Sequence, residues 1–568
     1  MIKFSKWKYV RPDAAHYNAI YADITSRIEK AESLEALEAL IAEYDAIGTD
    51  VMTMTGVAYI RNRLNMEDAF YKEESAACNK FYRDTDSARE ALMKAVLASP
   101  HLPALEEKYG SLMIQKLRNF TASENSAGNK ALEEREDALT SEYNELLHSI
   151  RVPFEGHEYT QHEMGEFKQD PDDARRQAAW HASGLGYASV GDRLDAIFDE
   201  LVHVRTQMAH EAGYKDYVDM AYVLRGRYCF NKKDIEEFRD AVVKYYVPLQ
   251  EKLARQQAER LGVKYPMNFS ENTMPFREGL PQPIGTKEDT LNTALQIFRE
   301  LSPETAEFVD YMQRYELMDT STSRQKSGGG FCIDLPAWKA GFLFSHFSGT
   351  IADVNSIRHE GGHAFAGYIS ERRGPRWRCM YTEEIAETHS QGMEVMTLPY
   401  IERFFGDKAD AFRYSMIADW ISFVPYACLA DHFQQAVYEQ PDLTPAERHA
   451  LWRSLMERYM PWIRFGEIAF YGDGKHWQRQ SHIYTSPFYF IDYCLSEIVA
   501  LQFFALQCVD RRDAWEKYLM FVKLGGTKNF VELALTVGME SPLSAEGVRH
   551  SAEQISAWLN SVDVSKIK

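Results

Sequence analysis

The first half of the chain carries apolar residues at helical spacing, three and four positions apart, with acidic and basic residues between them. That spacing places the apolar side chains on one face of a helix, which can then pack on a core. The pattern extends over residues 17–47, 52–82, 132–150 and 174–212. We therefore predict that this half is mostly helical.

Short segments with a different pattern predict a few strands. Residues 151–161 alternate and turn at Gly156, which is typical of a small hairpin. Residues 327–335 and 341–347 are typical of two strands joined by a turn at Pro336. Such strands can offer an edge to an extended peptide, and the glycine run at 328–330 would let another backbone approach closely. The alternative is a plain structural hairpin.

The best candidate for a domain boundary is the loop at residues 277–285, which is rich in glycine and proline. We predict an N-terminal helical lobe with a small hairpin over residues 1–285. A second lobe, residues 286–568, carries the candidate chemistry described below.

Composition narrows the class of protein. The chain has 568 residues, 45% of them hydrophobic, which is enough for a large core. The net charge of −20 argues against nucleic acid binding, which calls for a basic face, and gives a weak preference for cationic substrates. No signal peptide pattern and no uninterrupted apolar run of about 20 residues is present, so we expect no membrane partner. The seven cysteines form no C-x-x-C pair, which predicts a cytoplasmic protein with reduced thiols.

The strongest candidate for chemistry is the sequence His359-Glu360-Gly361-Gly362-His363, an H-E-x-x-H pattern. Apolar residues around it at helical spacing predict that it lies on a helix beginning after Thr350. Residues four apart share a helix face, so His359 and His363 can offer ring nitrogens to one metal ion. Glu360 can then act as a general base, as in zinc peptidases. Chance occurrence of the pattern is the alternative.

The two central glycines of this motif are unusual in a helix, since each costs about 1 kcal/mol relative to alanine. We expect something to approach the helix backbone closely at Gly361 and Gly362, such as a substrate or a neighbouring strand.

A catalytic zinc site usually has three protein ligands, so a third must come from elsewhere. Residues 381–396 combine many acids with apolar residues, which predicts a partly buried acidic helix whose charges need partners. Spacing alone leaves Glu384, Glu387 and His389 open as the third ligand. His346 on the second strand is a further candidate, although a packed or substrate-facing role suits it better.

Together, the H-E-x-x-H motif and the later run Glu387-Thr-His-Ser-Gln-Gly-Met-Glu394 resemble the thimet oligopeptidase and oligoendopeptidase F family of zinc metallopeptidases. The bacterial oligoendopeptidase F and Pz-peptidase branch is the most similar. The resemblance covers about residues 328–497, and the N-terminal half agrees only in its helical character. It implies that Glu387 is the third ligand and that Glu394 orients a ligand histidine. The family usually has an aromatic or aliphatic residue where Gly361 stands, so we expect looser packing behind the metal helix.

A third match lies in residues 480–497, where the family has a histidine followed by a tyrosine-rich run. The resemblance assigns His482, Tyr489 and Tyr493 to the active site, with Tyr484 a weaker candidate. A hydroxyl or imidazole N–H near the attacked carbonyl would stabilise the oxyanion that develops there. The alternative is that these aromatic residues belong to the core.

The resemblance implies a mainly α fold, with two helical lobes around a deep substrate channel and a small β-sheet near the active site. It implies one Zn²⁺ per chain, held by His359, His363 and Glu387, and hydrolysis of internal bonds in short unstructured peptides. The oligomeric state stays undecided. Two alternatives remain: a metallocarboxypeptidase of similar helical fold, and a non-catalytic peptide-binding protein, which would need no general base such as Glu360.

Overall fold

The computed structural model describes residues 1–123, 130–374, 376, 380–564 and 567. The fold is mainly α with a few small sheets, as predicted. In chain order the helices are α1 Ala14–Ile28, α2 Leu34–Leu64, α3 Ala69–Ala98, α4 Leu102–Tyr109, α5 Ser111–Ser123, α6 Lys130–Ser149, α7 Met164–Phe167, α8 Asp173–Ala188, α9 Gly191–Glu211, α10 Tyr217–Leu224, α11 Lys232–Leu261, α12 Phe269–Asn272, α13 Lys287–Leu301, α14 Pro303–Tyr315, α15 Ile351–Ser370, α16 Glu383–Thr397, α17 Glu402–Phe405, α18 Ala409–Glu439, α19 Pro445–Tyr459, α20 Ser481–Thr485, α21 Phe490–Val509, α22 Arg511–Leu524, α23 Phe530–Thr536 and α24 Ala545–Ser561.

The strands are short and form three separate sheets. They are β1 Val152–Phe154, β2 His157–Tyr159, β3 Met267–Asn268, β4 Met318–Asp319, β5 Phe331–Leu335, β6 Ala340–Phe344 and β7 Ile463–Arg464. Short 3₁₀ turns lie at Phe4–Lys6, Pro336–Trp338, Leu398–Tyr400, Gly406–Lys408 and His476–Arg479.

The chain divides into two compact units that interleave along the sequence. Unit 1 comprises Met1–Asn125, Gln282–Asp407 and Val499–Glu540, and unit 2 comprises Ser126–Pro281, Lys408–Ile498 and Ser541–Lys568. One crossing between the units falls close to the boundary predicted at residue 285. The first 125 residues nevertheless pack with the segment that follows this crossing. The division into two functional domains at residue 285 stays a prediction.

In unit 1, the N-terminal helices pack around a shared core that includes Tyr21, Ile24, Leu37 and Leu92. The helical pattern at residues 17–47 is in fact two helices, because the side chain of Ser33 caps α2 by accepting a hydrogen bond from the Ala36 amide at 3.2 Å. The apolar period runs through this break since both helices bury their faces in the same core. A cap residue was the only local sign of the boundary.

The predicted strand pair beside the motif is present in unit 1. Strands β5 and β6 pair antiparallel, and β4 joins the other side of β6 in parallel, giving the order β4-β6-β5. Strand β6 is buried along its whole length, whereas β5 is only partly buried. This sheet packs against α15, which carries the H-E-x-x-H motif.

In unit 2, the predicted hairpin is also present as β1 and β2. Its turn residues Glu155 and Gly156 both have left-handed backbone angles, with φ of 49° and 82°. Two consecutive residues of this conformation suit the right-handed twist of a two-residue hairpin. A second pair, β3 and β7, is parallel and was not predicted.

Helix α21 is long and apolar enough to cross a membrane, with a mean hydropathy of 1.3 over its most apolar window. However, 78% of that window is buried inside the protein, as in a core helix.

Candidate active site

Helix α15 presents the H-E-x-x-H motif and begins where the sequence predicts. The hydroxyl and amide of Thr350 both donate to the Asp353 carboxylate at 2.8 Å, and the Asp353 amide donates back to the hydroxyl at 3.4 Å. This reciprocal cap satisfies amides at the helix start and fixes where the helix begins. The start in turn decides which side of the helix His359, Glu360 and His363 occupy.

The two central glycines of α15 allow close packing on both sides. A Cβ at Gly362 would lie 2.6 Å from the His389 carbonyl oxygen and 2.6 Å from Ser390 Cα, so α16 lies directly against the α15 backbone. A Cβ at Gly361 would lie 2.5 Å from the ring of Phe298 on α13. The close approach was predicted correctly, but helices make it here. The expected looser packing behind Gly361 is wrong because the Phe298 ring fills that space.

Close packing of α15 and α16 brings the three predicted ligands together. The ligand atoms of His359, His363 and Glu387 all lie within 4.8 Å of one another. Glu387 Oε2 is 3.3 Å from His359 Nε2 and 3.6 Å from His363 Nε2. The three side chains lie in unit 1, and Glu387 is almost completely buried.

Neighbouring groups hold this set in place. His359 Nδ1 lies 2.8 Å from Glu394 Oε1, which fixes the ring so that Nε2 points at Glu387. The Ser390 hydroxyl donates to the Glu387 carboxylate at 3.2 Å. On the same pair of helices, Arg358 Nε donates to the Thr397 hydroxyl at 2.8 Å. A carboxylate behind a ligand histidine is the usual way in which proteins orient it towards a metal.

Burial and charge act in opposite directions on these groups. Burial alone would lower the pKa of His359, but the adjacent carboxylates of Glu387 and Glu394 outweigh it and raise that pKa well above its ordinary value. Burial alone would raise the pKa of Glu387, but His363 and His359 outweigh it and lower that pKa. The charged forms of His359 and Glu387 therefore stabilise each other.

Glu360 follows His359 directly on α15, and its carboxylate lies near the glycine run that precedes β5. A Cβ at Gly330 would lie 3.5 Å from Glu360 Oε1 and 2.9 Å from the Ser356 hydroxyl oxygen. Burial raises the pKa of Glu360, and the charges of His363 and His359 oppose that shift. A carboxylate with a raised pKa is better matched to accepting a proton near neutral pH.

The competing candidates for the third ligand face elsewhere. The His389 ring packs edge-on against Tyr381 and Phe521, with centroids 4.8 and 5.6 Å away. Burial lowers its pKa to about 3. His346 Nε2 is hydrogen-bonded to the Ser327 carbonyl. Neither histidine, nor Glu384, belongs to the group of possible ligand atoms found among the described residues.

The tyrosine-rich run forms an aromatic cluster in unit 2. The rings of His482 and Tyr489 stack with centroids 5.6 Å apart, and Tyr493 lies 4.9 Å from Tyr489 and 6.0 Å from His482. Tyr484 instead stacks on Tyr143 at 4.0 Å and donates to the Leu194 carbonyl, so it belongs to the core. The ligand set lies in unit 1, and a joint role in one reaction is part of the proposal below.

The sequence did not reveal two arginines that support this cluster. Arg225 Nε donates to the Pro487 carbonyl and Arg227 Nη2 to the Phe488 carbonyl, both at 2.6 Å. Arg225 also lies over the Tyr489 ring, 5.0 Å from its centroid. These bonds hold the turn before α21, where Phe488 has a φ of 64°. The only signal in the sequence was the isolated Arg225-Gly226-Arg227, more than 250 positions away in the chain.

The donor set fits a zinc ion. Two imidazole nitrogens and one carboxylate are the ligands of many catalytic zinc sites, which leave a fourth place open. Two ligands about 2.1 Å from a tetrahedral metal lie about 3.4 Å apart. The observed 3.3 and 3.6 Å between Glu387 and the two histidines agree with that spacing.

A helical fold with this H-E-x-x-H helix and a glutamate on the next helix defines a class of peptidases. Comparison with known proteins identifies the family: the chain belongs to peptidase family M3. The Peptidase M3 N-terminal domain matches residues 4–122, and Peptidase family M3 matches residues 306–553. The N-terminal half therefore shares more with the family than its helical character.

Solved structures of similar proteins match the fold of this chain over its whole length. Pz peptidase A with an inhibitor is 34% identical, with a TM-score of 0.93, covering 99% of this chain and 100% of that one. A putative oligoendopeptidase F from Bacillus anthracis is 31% identical, with a TM-score of 0.89, covering 100% of this chain and 99% of that one.

A comparison of sequences gives a partial match. An oligoendopeptidase F homolog from Borreliella burgdorferi is 25% identical over 221 residues, which span 37% of this chain and 36% of that protein.

Proposed function

We propose that this chain is a zinc-dependent endopeptidase that hydrolyses internal bonds of short unstructured peptides. The observation that carries the proposal is the ligand set of His359, His363 and Glu387, with Glu394 behind His359 and Glu360 beside it. A peptide-binding protein would need neither a metal set nor a buried general base.

His359, His363 and Glu387 would hold one zinc ion per chain. When bound, zinc acts as a Lewis acid on a carbonyl and lowers the pKa of water to about 7. Glu360 accepts a proton from the attacking water and passes it to the leaving amine. Its burial supports this role, since a desolvated carboxylate is a stronger base than one in water.

Tyr493, together with His482 or Tyr489, stabilises the oxyanion that develops on the attacked carbonyl. The hydroxyl of Tyr493 and the imidazole N–H of His482 are the donors that suit this task. The carbonyl bonds from Arg225 and Arg227 support the proposal because they hold the turn that carries Tyr489. Positioned donors cost no reorganisation during the reaction.

The proposed substrates are short unstructured peptides, because a deep substrate channel would exclude folded proteins. We further propose a cytoplasmic location, supported by the free state of all six described cysteines. The proposal includes no nucleic acid or membrane partner and leaves the oligomeric state open.

The test is hydrolysis of an internally quenched peptide, either free or blocked at both ends, followed by mass spectrometry. Internal cleavage of the blocked peptide should stop with a chelator and return with zinc. Cleavage restricted to a free C-terminus would instead establish a carboxypeptidase. Absence of any cleavage, with one zinc bound per chain, would favour a binding protein.

Glu360→Gln is the sharpest variant for the same assay. It keeps the shape of the side chain but removes the base, so kcat should fall by about 10²- to 10⁴-fold while zinc content stays at one per chain. Glu316→Gln, which changes a partly exposed glutamate paired with Lys3, is the matched control. Retained activity, or loss of zinc from Glu360→Gln, would contradict the assigned role.

A further inference from the structure

A polar cavity lies along α15, on the face of the helix that carries the proposed metal ligands and closer to the C-terminal end of the helix. Gly367, Ser370 and Glu371 follow His363 by four, seven and eight positions, so they lie on the same side of the helix. Together with Asp334 of β5, Arg376 and Tyr381 they line a cavity of about 170 Å³. Cavities of about 150 Å³ hold a benzene-sized group, so this one suits a single side chain.

Charges in this cavity are incompletely paired. Glu371 forms an ion pair with Arg376 at 2.5 Å. In the described part of the chain, the Asp334 carboxylate has neither a hydrogen bond nor an ion pair. Burial raises its pKa, and the charges of Arg376 and His363 oppose that shift only in part. A partly desolvated carboxylate without a partner is unfavourable, and a positively charged ligand would relieve that cost.

The fold makes room for this carboxylate. A Cβ at Gly367 would lie 2.8 Å from Asp334 Oδ1, so a larger residue at this position of α15 would displace the Asp334 carboxylate. Asp334 pairs with Gly341 in the β5–β6 ladder, where no side chain covers it from the neighbouring strand. The open volume around Asp334 is thus a consequence of glycine on two elements.

A second group in the cavity also lacks a partner. Ser370 is only 5% exposed, yet its hydroxyl oxygen has no hydrogen bond among the described residues. Buried polar groups are nearly always satisfied, and a serine near the end of a helix can usually bond a carbonyl one turn back. An unpartnered hydroxyl beside an unpartnered carboxylate is an arrangement that a cationic amine or guanidinium would complete.

We propose that Asp334 and Ser370, beside the Glu371–Arg376 ion pair, form a subsite for a positively charged group of the peptide substrate. The group is a basic side chain or a free amino terminus. This inference rests on the proposed peptidase function. The net charge of −20 favours approach of such substrates.

The position of the cavity on α15 indicates where the charged group lies in the peptide. From His363 to the cavity residues the helix rises by about 6 to 12 Å. An extended peptide rises about 3.3 Å per residue, so the subsite accepts a residue about two to four positions from the bond that is cut.

The first experiment compares blocked, internally quenched peptides that carry lysine or norleucine at each of the four positions on either side of the cleaved bond. Norleucine keeps the chain but lacks the ammonium group. At one position, lysine should raise kcat/KM about tenfold or more over norleucine, as expected for a hydrogen-bonded charge pair. An unblocked peptide without lysine tests the amino terminus as the source of the charge.

Asp334→Asn should bring the ratio of kcat/KM for the lysine peptide to that for the norleucine peptide close to one. Ser370→Ala keeps the charge of the cavity and should lower this ratio by a smaller factor. Asp310→Asn is the matched control, because it removes one exposed carboxylate elsewhere in unit 1 and should leave the ratio unchanged. Equal rates for lysine, norleucine and free amino termini, or a preference that survives Asp334→Asn, would overturn the subsite.

A binding measurement separates the subsite from the peptidase proposal. Zinc-loaded Glu360→Gln protein is titrated calorimetrically with the lysine and norleucine peptides, with and without Asp334→Asn. Tighter binding of the lysine peptide that disappears with Asp334→Asn supports the subsite even if the wild-type chain cleaves nothing. Equal dissociation constants for the two peptides overturn the subsite, even if cleavage itself is observed.

Discussion

The two faces of α16 provide opposite environments for two histidines, His359 of the neighbouring α15 and His389 of α16 itself. On the face towards α15, His359 lies between Glu387 and Glu394, and these carboxylates raise its pKa well above the ordinary value. On the face towards α22, His389 lies among aromatic rings, and burial lowers its pKa to about 3. In the part of the chain that the structure describes, neither ring nitrogen of His389 has a hydrogen-bond partner.

This difference shows that residue type alone does not make a ligand. His389 lies two positions from Glu387, the proposed ligand, yet its ring packs against Phe521 and its carbonyl accepts a hydrogen bond from Tyr518 at 2.6 Å. His359 is 28 positions away from Glu387 in the sequence, since 387 − 359 = 28, and its ring nitrogen lies 3.3 Å from it. The three-dimensional environment separates a histidine suited to bind a metal from one that packs in the core.

The largest expected effect comes from replacing histidine by leucine once at a proposed ligand on α15 and once at the packed position on α16. His363→Leu removes one proposed ligand, whereas His389→Leu removes a histidine that we assign to packing. His363→Leu should lower the zinc affinity by more than the roughly 100-fold that follows when a residue hydrogen-bonded to a ligand is replaced. His389→Leu should leave the zinc affinity unchanged. Calorimetric zinc titration of both variants, with circular dichroism to verify folding, measures the contrast. Loss of zinc from His389→Leu alone would reverse the comparison.

A smaller effect is expected from the group behind the ligand. Glu394→Gln removes the charge that orients His359 but leaves all three ligands in place. Zinc affinity should fall by about 10- to 100-fold, since such partners set the orientation and basicity of the imidazole. Competition with a chelator of known affinity gives the value. An unchanged affinity would show that packing of α15 and α16 orients His359 without Glu394.

The smallest expected effect concerns stability against pH. His389 has a pKa of about 3 when folded and about 6.5 when unfolded, so between these values the unfolded chain binds the extra proton. Its contribution to stability is therefore present above pH 6.5 and is lost as the pH falls towards 3, by about 1.4 kcal/mol per pH unit. Urea unfolding of wild type and His389→Leu at pH 7, 6 and 5 measures the difference. If the free energies of unfolding of the two proteins change with pH in parallel, the burial of His389 does not lower its pKa.

Much of the site was predictable because its signals are local. A four-residue separation places His359 and His363 on one helix face whatever the rest of the fold does, and Thr350 and Asp353 mark the helix start. The hairpin at Gly156 and the strands β5 and β6 were similarly predictable from alternation and turn residues. The break between α1 and α2 was missed, because the apolar period continues through it.

The sequence by itself determined the mainly helical fold and the motif helix, and its family resemblance pointed to Glu387. Tertiary structure decided which face of α16 meets α15, because Gly362 lets the two backbones approach and so fixes the rotation that turns Glu387 inward and His389 outward. It also decided that Asp334 and Ser370, 36 positions apart since 370 − 334 = 36, share one cavity. Helical period and cap residues act within a few residues of the chain, whereas the pairing of distant charges depends on how the elements pack.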